Sequence, residues 1–445
     1  MALLALLLPV AAPHGAGAAT YYVRQTVGDD AQDGLSAATA WQHVTRLGGV
    51  MQAGDTAYVG PGLYREQIDV QYDGTSQSRI TFVADTTGQH TGDPPGVVLL
   101  AGSEPVDEAV FTPRPAPAVY GAKIPYQVWG VVEMDGPQSR HVRASLTAEH
   151  LVQHVPEADV VAHLPSSFTV DERTGDLLVH TSDGAPPPSH ELELIQRGNG
   201  FFMVGRYFIT IVGFTFRHMQ DAGISFFKDS GDGIAVGNTA YGSRQGIRVY
   251  AATNVLLQGN TLFRNENSGA YFAASSTSGV AIGNVAYENL KGLRWSSQSN
   301  NALALDNWCF ENSERGLSLE NVDGALLRRN LLAGNAVSQL LILQSPYGSE
   351  SNCFESDRAE QLTADFRPFP PKASYPMLAD YQLAQHQDLH SSAGGCGPRP
   401  PKVDVGRLHA ETLAYAERAR RILHDEAPPA VPPSTRSWLD WLLGR

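Results

Sequence analysis

Past its first residues the chain has no run approaching the roughly 18 apolar residues of a membrane span, so no transmembrane segment is expected. Cysteine is scarce. Cys309, Cys353 and Cys396 are the only three in 445 residues, and they fit no metal-ligand spacing. Charge is thin as well, at 18% of residues, and it is unbalanced, with a formal net charge of -14 and a pI near 5.4. That balance excludes non-specific nucleic-acid binding, which rests on neutralising phosphates. Any anionic ligand must therefore be met by local cations. Helix-length stretches free of Gly and Asn are also missing from every unit before Asn335, which excludes a helical repeat.

What the middle of the chain has instead is a period. A glycine followed by an apolar residue recurs at Gly200-Phe201, Gly223-Ile224, Gly246-Ile247, Gly269-Ala270, Gly292-Leu293 and Gly316-Leu317, at spacings of 23, 23, 23, 23 and 24. Asn238, Asn260, Asn284, Asn307 and Asn330 form a second series, and Asn265, Asn289, Asn312 and Asn335 follow it five residues behind. Short alternating runs such as Gly246-Ile247-Arg248-Val249-Tyr250 are separated by Gly, Asn, Ser and Thr, which reads as strand, turn, strand, turn. Self-similarity at this period means stacked repeats. The chain is expected to coil so that equivalent residues stack about 4.8 Å apart on parallel strands, with an inward Asn at each turn bonding to the coils above and below.

The phrases Gly246 to Tyr250 and Asn260 to Asn265 resemble those of right-handed parallel β-helix proteins of the pectate-lyase-like superfamily. So do the opening segments Tyr21-Tyr22-Val23, Gly28 to Ser36, Gly54-Asp55-Thr56 and Pro61 to Tyr64. The resemblance implies an all-β solenoid. For chemistry it is less specific, because the superfamily holds lyases, hydrolases, epimerases and non-catalytic proteins.

The expected organisation is a secretory signal at 1–19, an N-terminal cap and first coils at 20–100, and a proline-rich insertion at 101–190. Main coils at 191–350 and an irregular stretch at 351–402 follow, then a helix and Trp-rich tail at 403–445. The signal reading makes the protein secreted or periplasmic. Trp41, Val44, Leu47 and Met51 recur at helical spacing in the cap. The cluster Asp29, Asp30 and Asp33 reads as a solvated turn, because it lacks the spacing of a calcium loop. The insertion should contain a hairpin of Ser167–Val170 and Asp176–His180 around Gly175, and its His141, Arg143, His150 and His163 stay in consideration. Cys309 falls at a core position of its coil, whereas Cys353 and Cys396 are either free or paired in an oxidising compartment.

Inward residues are committed to the stack, so chemistry must come from outward residues and turns. After each opening glycine the first residue should point in and the next out, giving an outward column Ser225, Arg248, Tyr271, Arg294 and Ser318, and beside it Phe227, Tyr250, Ala273, Ser296 and Glu320. Arg248 and Arg294 would then stand roughly 9.6 Å apart with Tyr271 between them. Arginine forks bind carboxylates, and neutralising a uronate carboxylate acidifies its C5 proton. Flanking arginines would favour the ionised tyrosine and so make Tyr271 a general base, or an acid toward the leaving oxygen. Lys228, Arg244 and Lys291 extend the cationic groove, and Tyr250, Asp221 and Glu320 complete the substrate-binding set. An exposed strand face stabilised by arginine stacking on tyrosine is the plain alternative.

The sequence reading is thus a monomeric polysaccharide lyase acting on an acidic polysaccharide, with Tyr271, Arg248 and Arg294 catalytic. A hydrolase using two of Asp221, Glu266, Glu288, Glu314 and Glu320 is the enzymatic alternative, and a non-catalytic glycan- or protein-binding β-helix is the other. The multi-Asp motif of polygalacturonases and the Asp-Pro-His-Asp signature of alginate epimerases are absent. Calcium, used by lyases of this fold, finds no column of aspartates. An aromatic stripe at Tyr241, Phe263, Tyr287 and Phe310 should point outward, and the C-terminal helix or tail is its natural cover.

Overall fold

The computed structural model describes residues 17–134, 140–144, 161–165, 167–171, 173–357, 362–367 and 373–425. Each coil of the middle region contributes one strand to each of three sheets, as in Ile209–Val212, Thr215–Arg217 and Ala222–Phe227. Among the described residues each sheet has ten strands. Sheet I runs from Thr20–Val23 to Tyr347–Glu350, and sheet II from Gly62–Tyr64 to Ser392–Ala393. Sheet III runs from Ile68–Val70 to Leu362–Arg367, and Ala373–Tyr375 closes its end antiparallel. The other pairings within these sheets are parallel, which gives a right-handed coil, the hand that twisted strands impose on parallel connections.

The two asparagine series are continuous ladders. Asn284 Oδ1 accepts from the backbone N–H of Asn260 (3.0 Å) and from its amide (2.9 Å), while Asn284 Nδ2 donates to the Leu257 carbonyl (2.9 Å) and to Asn307 Oδ1 (3.0 Å). The first ladder continues past Asn330 to Asn352, whose amide donates to Asp388 (2.7 Å). The second ends where Asn335 donates to Gln339 (2.7 Å). A left-handed residue precedes each rung of the first ladder, with φ of +63° at Gly283, +56° at Asp306 and +54° at Arg329. This single backbone reversal turns the Asn inward. Glycine takes it freely, and the other types adopt it at some cost. The opening glycines answer a different need: a Cβ on Gly269 would lie 2.8 Å from the carbonyl oxygen of Gly292 in the next coil.

Inside the tube, Ile224, Ile247, Ala270, Leu293 and Leu317 stack as one column, and Phe272 lies flat on Trp295 at 4.7 Å. Cys309 is fully buried there. The open N-terminal end is closed by α1 (Thr45–Gly48) and its flanks, where Trp41, Val44, Leu47 and Met51 are all buried. The neighbouring aspartates serve local turns, with Asp30 on His43, Asp33 on Thr39 and Asp29 on the N–H of Ala31. At the other end, α2 (Leu378–Gln385) buries Leu378 and Tyr381 against the last coil.

An eight-stranded sheet with its own core, including Phe111, Val131, Phe168 and Leu194, lies between the first coils and the main ones in sequence, while in space those coils pair directly. Its hairpin pairs Ser167–Val170 with Leu177–His180 around Gly175, which has φ +71°. This unit docks beside sheet II through a buried carboxylate. Glu193 accepts from Ser103 (2.5 Å), Arg65 (2.7 Å) and Arg217 (2.9 Å). Burial pushes the Glu193 carboxyl up, but His218, Arg217 and Arg65 outweigh it and hold it well below the usual carboxylate range.

The outward stripe of sheet II is covered. Tyr241, Phe263, Tyr287 and Phe310 stack with centroids 4.9 to 5.1 Å apart, and Val403, Val405 and Leu408 pack over them. The covering segment starts at a Cys353–Cys396 disulfide and runs back along the tube into α3 (Val405–Asp425). Arg399 bonds Glu311 (2.7 Å), and Lys402 bonds Glu288 (2.6 Å) and also Glu311. His409 meets Arg217 (3.0 Å), and Tyr415 donates to the carbonyl of Pro94 (2.9 Å) in the first coils. The segment is a strap tying the last coils to the first. Residues 1–16 and 426–445, which hold most of the expected signal and the Trp-rich tail, lie outside the described residues.

Asn284→Ala should lower stability by about 2–3 kcal/mol in denaturant unfolding, since it takes the side-chain partner from the buried Asn260 N–H and from the Leu257 carbonyl, while Asn307 Oδ1 keeps only the backbone N–H of residue 284. Strap docking should also depend on acid. For Glu288 and Glu311, burial raises the carboxyl, but Lys402 with Arg264 in one case and Arg399 in the other outweighs it, so both titrate below the ordinary 4.5. Their contribution is then complete above that value and is lost as pH falls through the depressed ones. The protection of amides 405–423 relative to their intrinsic exchange rates should fall as pH drops below 4.5, while the ladder amides keep theirs.

Candidate functional site

The alternation on sheet III is the expected one. Ile247, Ala270, Leu293 and Leu317 are fully buried, and Arg248, Tyr271 and Arg294 emerge outward in direct register on three successive strands. The remaining predicted residues come to the same face. Tyr250 stacks on Phe227 at 5.1 Å, and Lys228, just past that strand, lies 5.2 Å over the Phe227 ring. Arg244 is exposed in the turn before Gln245–Tyr250. Asp221 precedes the strand carrying Ser225, Lys291 opens the strand carrying Arg294, and Glu320 ends the next.

The electrostatics are closely matched. Arg248 forms an ion pair with Asp221, donates to Ser225 Oγ (3.0 and 3.1 Å) and lies 4.6 Å over Phe227. Arg294 holds Glu320 with both arms of its fork (3.0 and 2.5 Å) while lying 4.7 Å over the Tyr271 ring, a cation–π contact. The Tyr271 hydroxyl meets Ser296 Oγ at 3.0 Å. Lys291 Nζ sits between Glu314 (3.5 Å) and Glu320 (3.6 Å). Burial pushes the Asp221 carboxyl up against the pull of Arg248 and Arg244, and burial likewise lowers Arg248. Asp221 Oδ1 is buried without a bonding partner. The two arginines flanking Tyr271 therefore each carry a carboxylate of their own.

Among the hydrolase candidates the register is decisive. Asp221 and Glu320 belong to strands four steps apart, about 19 Å at strand spacing, too far to act on one bond. Glu288 is not on this face at all: it binds Arg264 and Lys402 under the strap on sheet II. Glu314 and Glu320 share Lys291, so their bonded oxygens are within about 7 Å of each other. Burial raises the Glu314 carboxyl, but Arg315 and Lys291 outweigh it and hold it below the usual range.

Two participants were missed by the sequence reading. Arg315 binds Glu314 (2.7 Å) and approaches Asp365 (3.7 Å). A signal for Arg315 existed, since it stands immediately before an opening glycine, as Lys291 does; Asp365 lies beyond the last legible repeat. In the insertion, His163 is exposed, His141 and Arg143 lie on a strand (Arg140–Ala144) whose side chains are not described, and His150 is outside the described residues.

Glu320→Gln releases Arg294 and Lys291 from their shared carboxylate. Binding of a tetragalacturonate probe, followed by calorimetry, should tighten about tenfold, the scale of one charge-assisted contact.

The family described as "Periplasmic copper-binding protein (NosD)" matches residues 183–347, a little over a third of the chain. The copper-type ligands in that span do not form a site. Cys309, Met203 and Met219 are packed in the core, His218 is engaged by Ser103 and Glu193, and His190 meets Asp183 at 3.1 Å. No three His, Cys, Asp or Glu side chains gather for a metal among the described residues. No helix among them is long and apolar enough to cross a membrane. No curated protein matches the sequence. A solved structure described as "The complex structure of XylC with xylose" is 15% identical, with 78% of this chain and 69% of that chain covered and a TM-score of 0.55. One described as "Glycoside hydrolase" is 10% identical over 77% and 89%, with a TM-score of 0.50. "Crystal structure of pectate lyase Pel9A" is 11% identical over 77% and 70%, at 0.46. In fold, the chain is a right-handed parallel β-helix, the architecture it shares with these solved structures.

Proposed function

We propose that the chain is an exported, glycan-active β-helix that cleaves uronate-containing polysaccharide by β-elimination on the outward face of sheet III. One observation carries this reading: Tyr271 stands between Arg248 and Arg294 in a single outward column, with Arg294 on its ring and Ser296 on its hydroxyl. A uronate carboxylate laid beside Tyr271 takes over donors of Arg294 that Glu320 holds at rest, which withdraws charge from C5. In the ionised state of Tyr271 its oxygen takes the C5 proton, the C5–H electrons form the C4–C5 double bond as the C4–O bond breaks, and the leaving oxygen takes the proton back from the Tyr271 hydroxyl, which restores the base. The xylose complex and the glycoside hydrolase of like fold support a sugar as the substrate class. The disulfide supports an oxidising compartment, and the partial family match favours the periplasm.

Hydrolysis is the second reading, favoured by the Glu314–Glu320 pair around Lys291, whose separation suits two carboxylates flanking a glycosidic bond.

The purified protein, incubated with polygalacturonate, alginate and glucuronan, should generate the ultraviolet absorbance of an unsaturated uronate. Tyr271→Phe should lower the rate by about 10²–10⁴ without loss of fold. New reducing ends without that absorbance, lost in Glu314→Gln, would replace elimination with hydrolysis. No product on any substrate would remove the enzyme reading.

A further inference from the structure

Sheet III carries a second feature toward its N-terminal end. A cavity of about 330 Å³ opens there, lined by Gln67, Asp69, Gln71, Phe202, Val204 and Arg206, a volume at the lower end of small-ligand sites. We propose that it is a sugar subsite for a neutral pyranose, set three units along the chain from the residue that Tyr271 attacks. This assignment rests on the glycan reading above.

The chemistry of the lining carries it. Phe202 is partly exposed and begins an outward aromatic run, 5.8 Å from Phe227, which in turn is 5.1 Å from Tyr250. The C–H face of a pyranose stacks on such rings, and exposed Val204 (42%) extends the apolar wall. Hydroxyl-bonding groups stand opposite. Gln67 is fixed at both ends, accepting from the backbone N–H of Asn199 (2.8 Å) and donating to Asp69 Oδ1 (2.7 Å). That aims the exposed Asp69 carboxylate, whose second oxygen can accept from a sugar hydroxyl. Arg206 approaches Asp73 at 3.6 Å. A uronate brought against Asp69 would meet like charge, so the subsite selects a neutral unit where the Tyr271 region selects an acidic one.

Register connects the two places. Asp69, Phe202, Ser225, Arg248 and Tyr271 are consecutive members of one outward column. Phe202 is therefore three strand steps from Tyr271, about 14 Å. A pyranose unit in an extended glycan is about as long as one strand step, so a chain laid along the column advances one sugar per coil. The aromatic run forms the path between.

The test uses the full chain with cellotetraose, xylotetraose and mannotetraose as probes in calorimetry and ligand-observed NMR, beside tetragalacturonate. At least one neutral probe should bind, and Asp69→Ala and Phe202→Ala should each weaken it tenfold or more, while Phe202→Leu, which keeps the apolar volume, shows that the scaffold is intact. If a neutral probe binds and loses affinity in Asp69→Ala although no polysaccharide is cleaved, the subsite stands and the lyase reading falls. Cleavage without binding of any neutral probe overturns the subsite alone. So does equal binding by wild type and Asp69→Ala, or tighter binding of tetragalacturonate that Asp69→Ala leaves unchanged.

Discussion

Everything in this molecule depends on the hydrogen-bond relay through its inward asparagines. A tube wound from short strands must turn its backbone several times per coil, and each turn brings polar groups into the interior, where an unpaired one is costly. Asparagine solves this because one amide both accepts and donates, so each rung satisfies backbone groups of its neighbours and is itself satisfied by the next. The left-handed residue ahead of each rung is part of the same solution. Once the relay holds, the rise per coil is fixed, and side chains on the outside fall into columns whose spacing no other packing needs to set.

The candidate face is a product of that spacing. Residues about 23 positions apart in sequence become neighbours one strand step apart, so a column such as Arg248, Tyr271 and Arg294 is rigidly placed by the scaffold. Its charges are balanced within the protein. Arg248 rests on Asp221 and Arg294 on Glu320, so the acidic ligand proposed here would enter by exchange of partners. Exchange suits a chain of net charge -14, whose long-range field repels polyanions, because selectivity then comes from local fork geometry.

The fold was legible because the period is written three times over: in the glycines, in both asparagine series and in the strand alternation. Inward and outward assignment followed from strand geometry alone, and the covering of the Tyr241 to Phe310 stripe followed from its being a long apolar surface. What escaped was pairing across distant sequence. Glu288 was grouped with the site because it lies in the right stretch of chain, yet the turn it occupies faces sheet II, where Lys402, 114 residues later, claims it. Asp69 belongs to the site's own column but lies in the first coils, on the far side of the insertion, so no repeat in the sequence brings it into step with Phe202. The docking of the insertion through Glu193 had no local signature, since Arg65 is 128 residues away.

The strap has a consequence for how the molecule comes into being. Residues 403–425 follow the coils in sequence, so until they dock, the row of parallel aromatic rings from Tyr241 to Phe310 lacks the cover they supply. Tyr415, midway along α3, reaches Pro94 and so adds a fastening between the two ends of the tube to the one its sheets already provide. A chain cut short before residue 403 would keep its tube and its candidate site while displaying a ready-made sticky surface. Shielding of that surface therefore rests on a segment that contributes nothing to the face where chemistry is proposed.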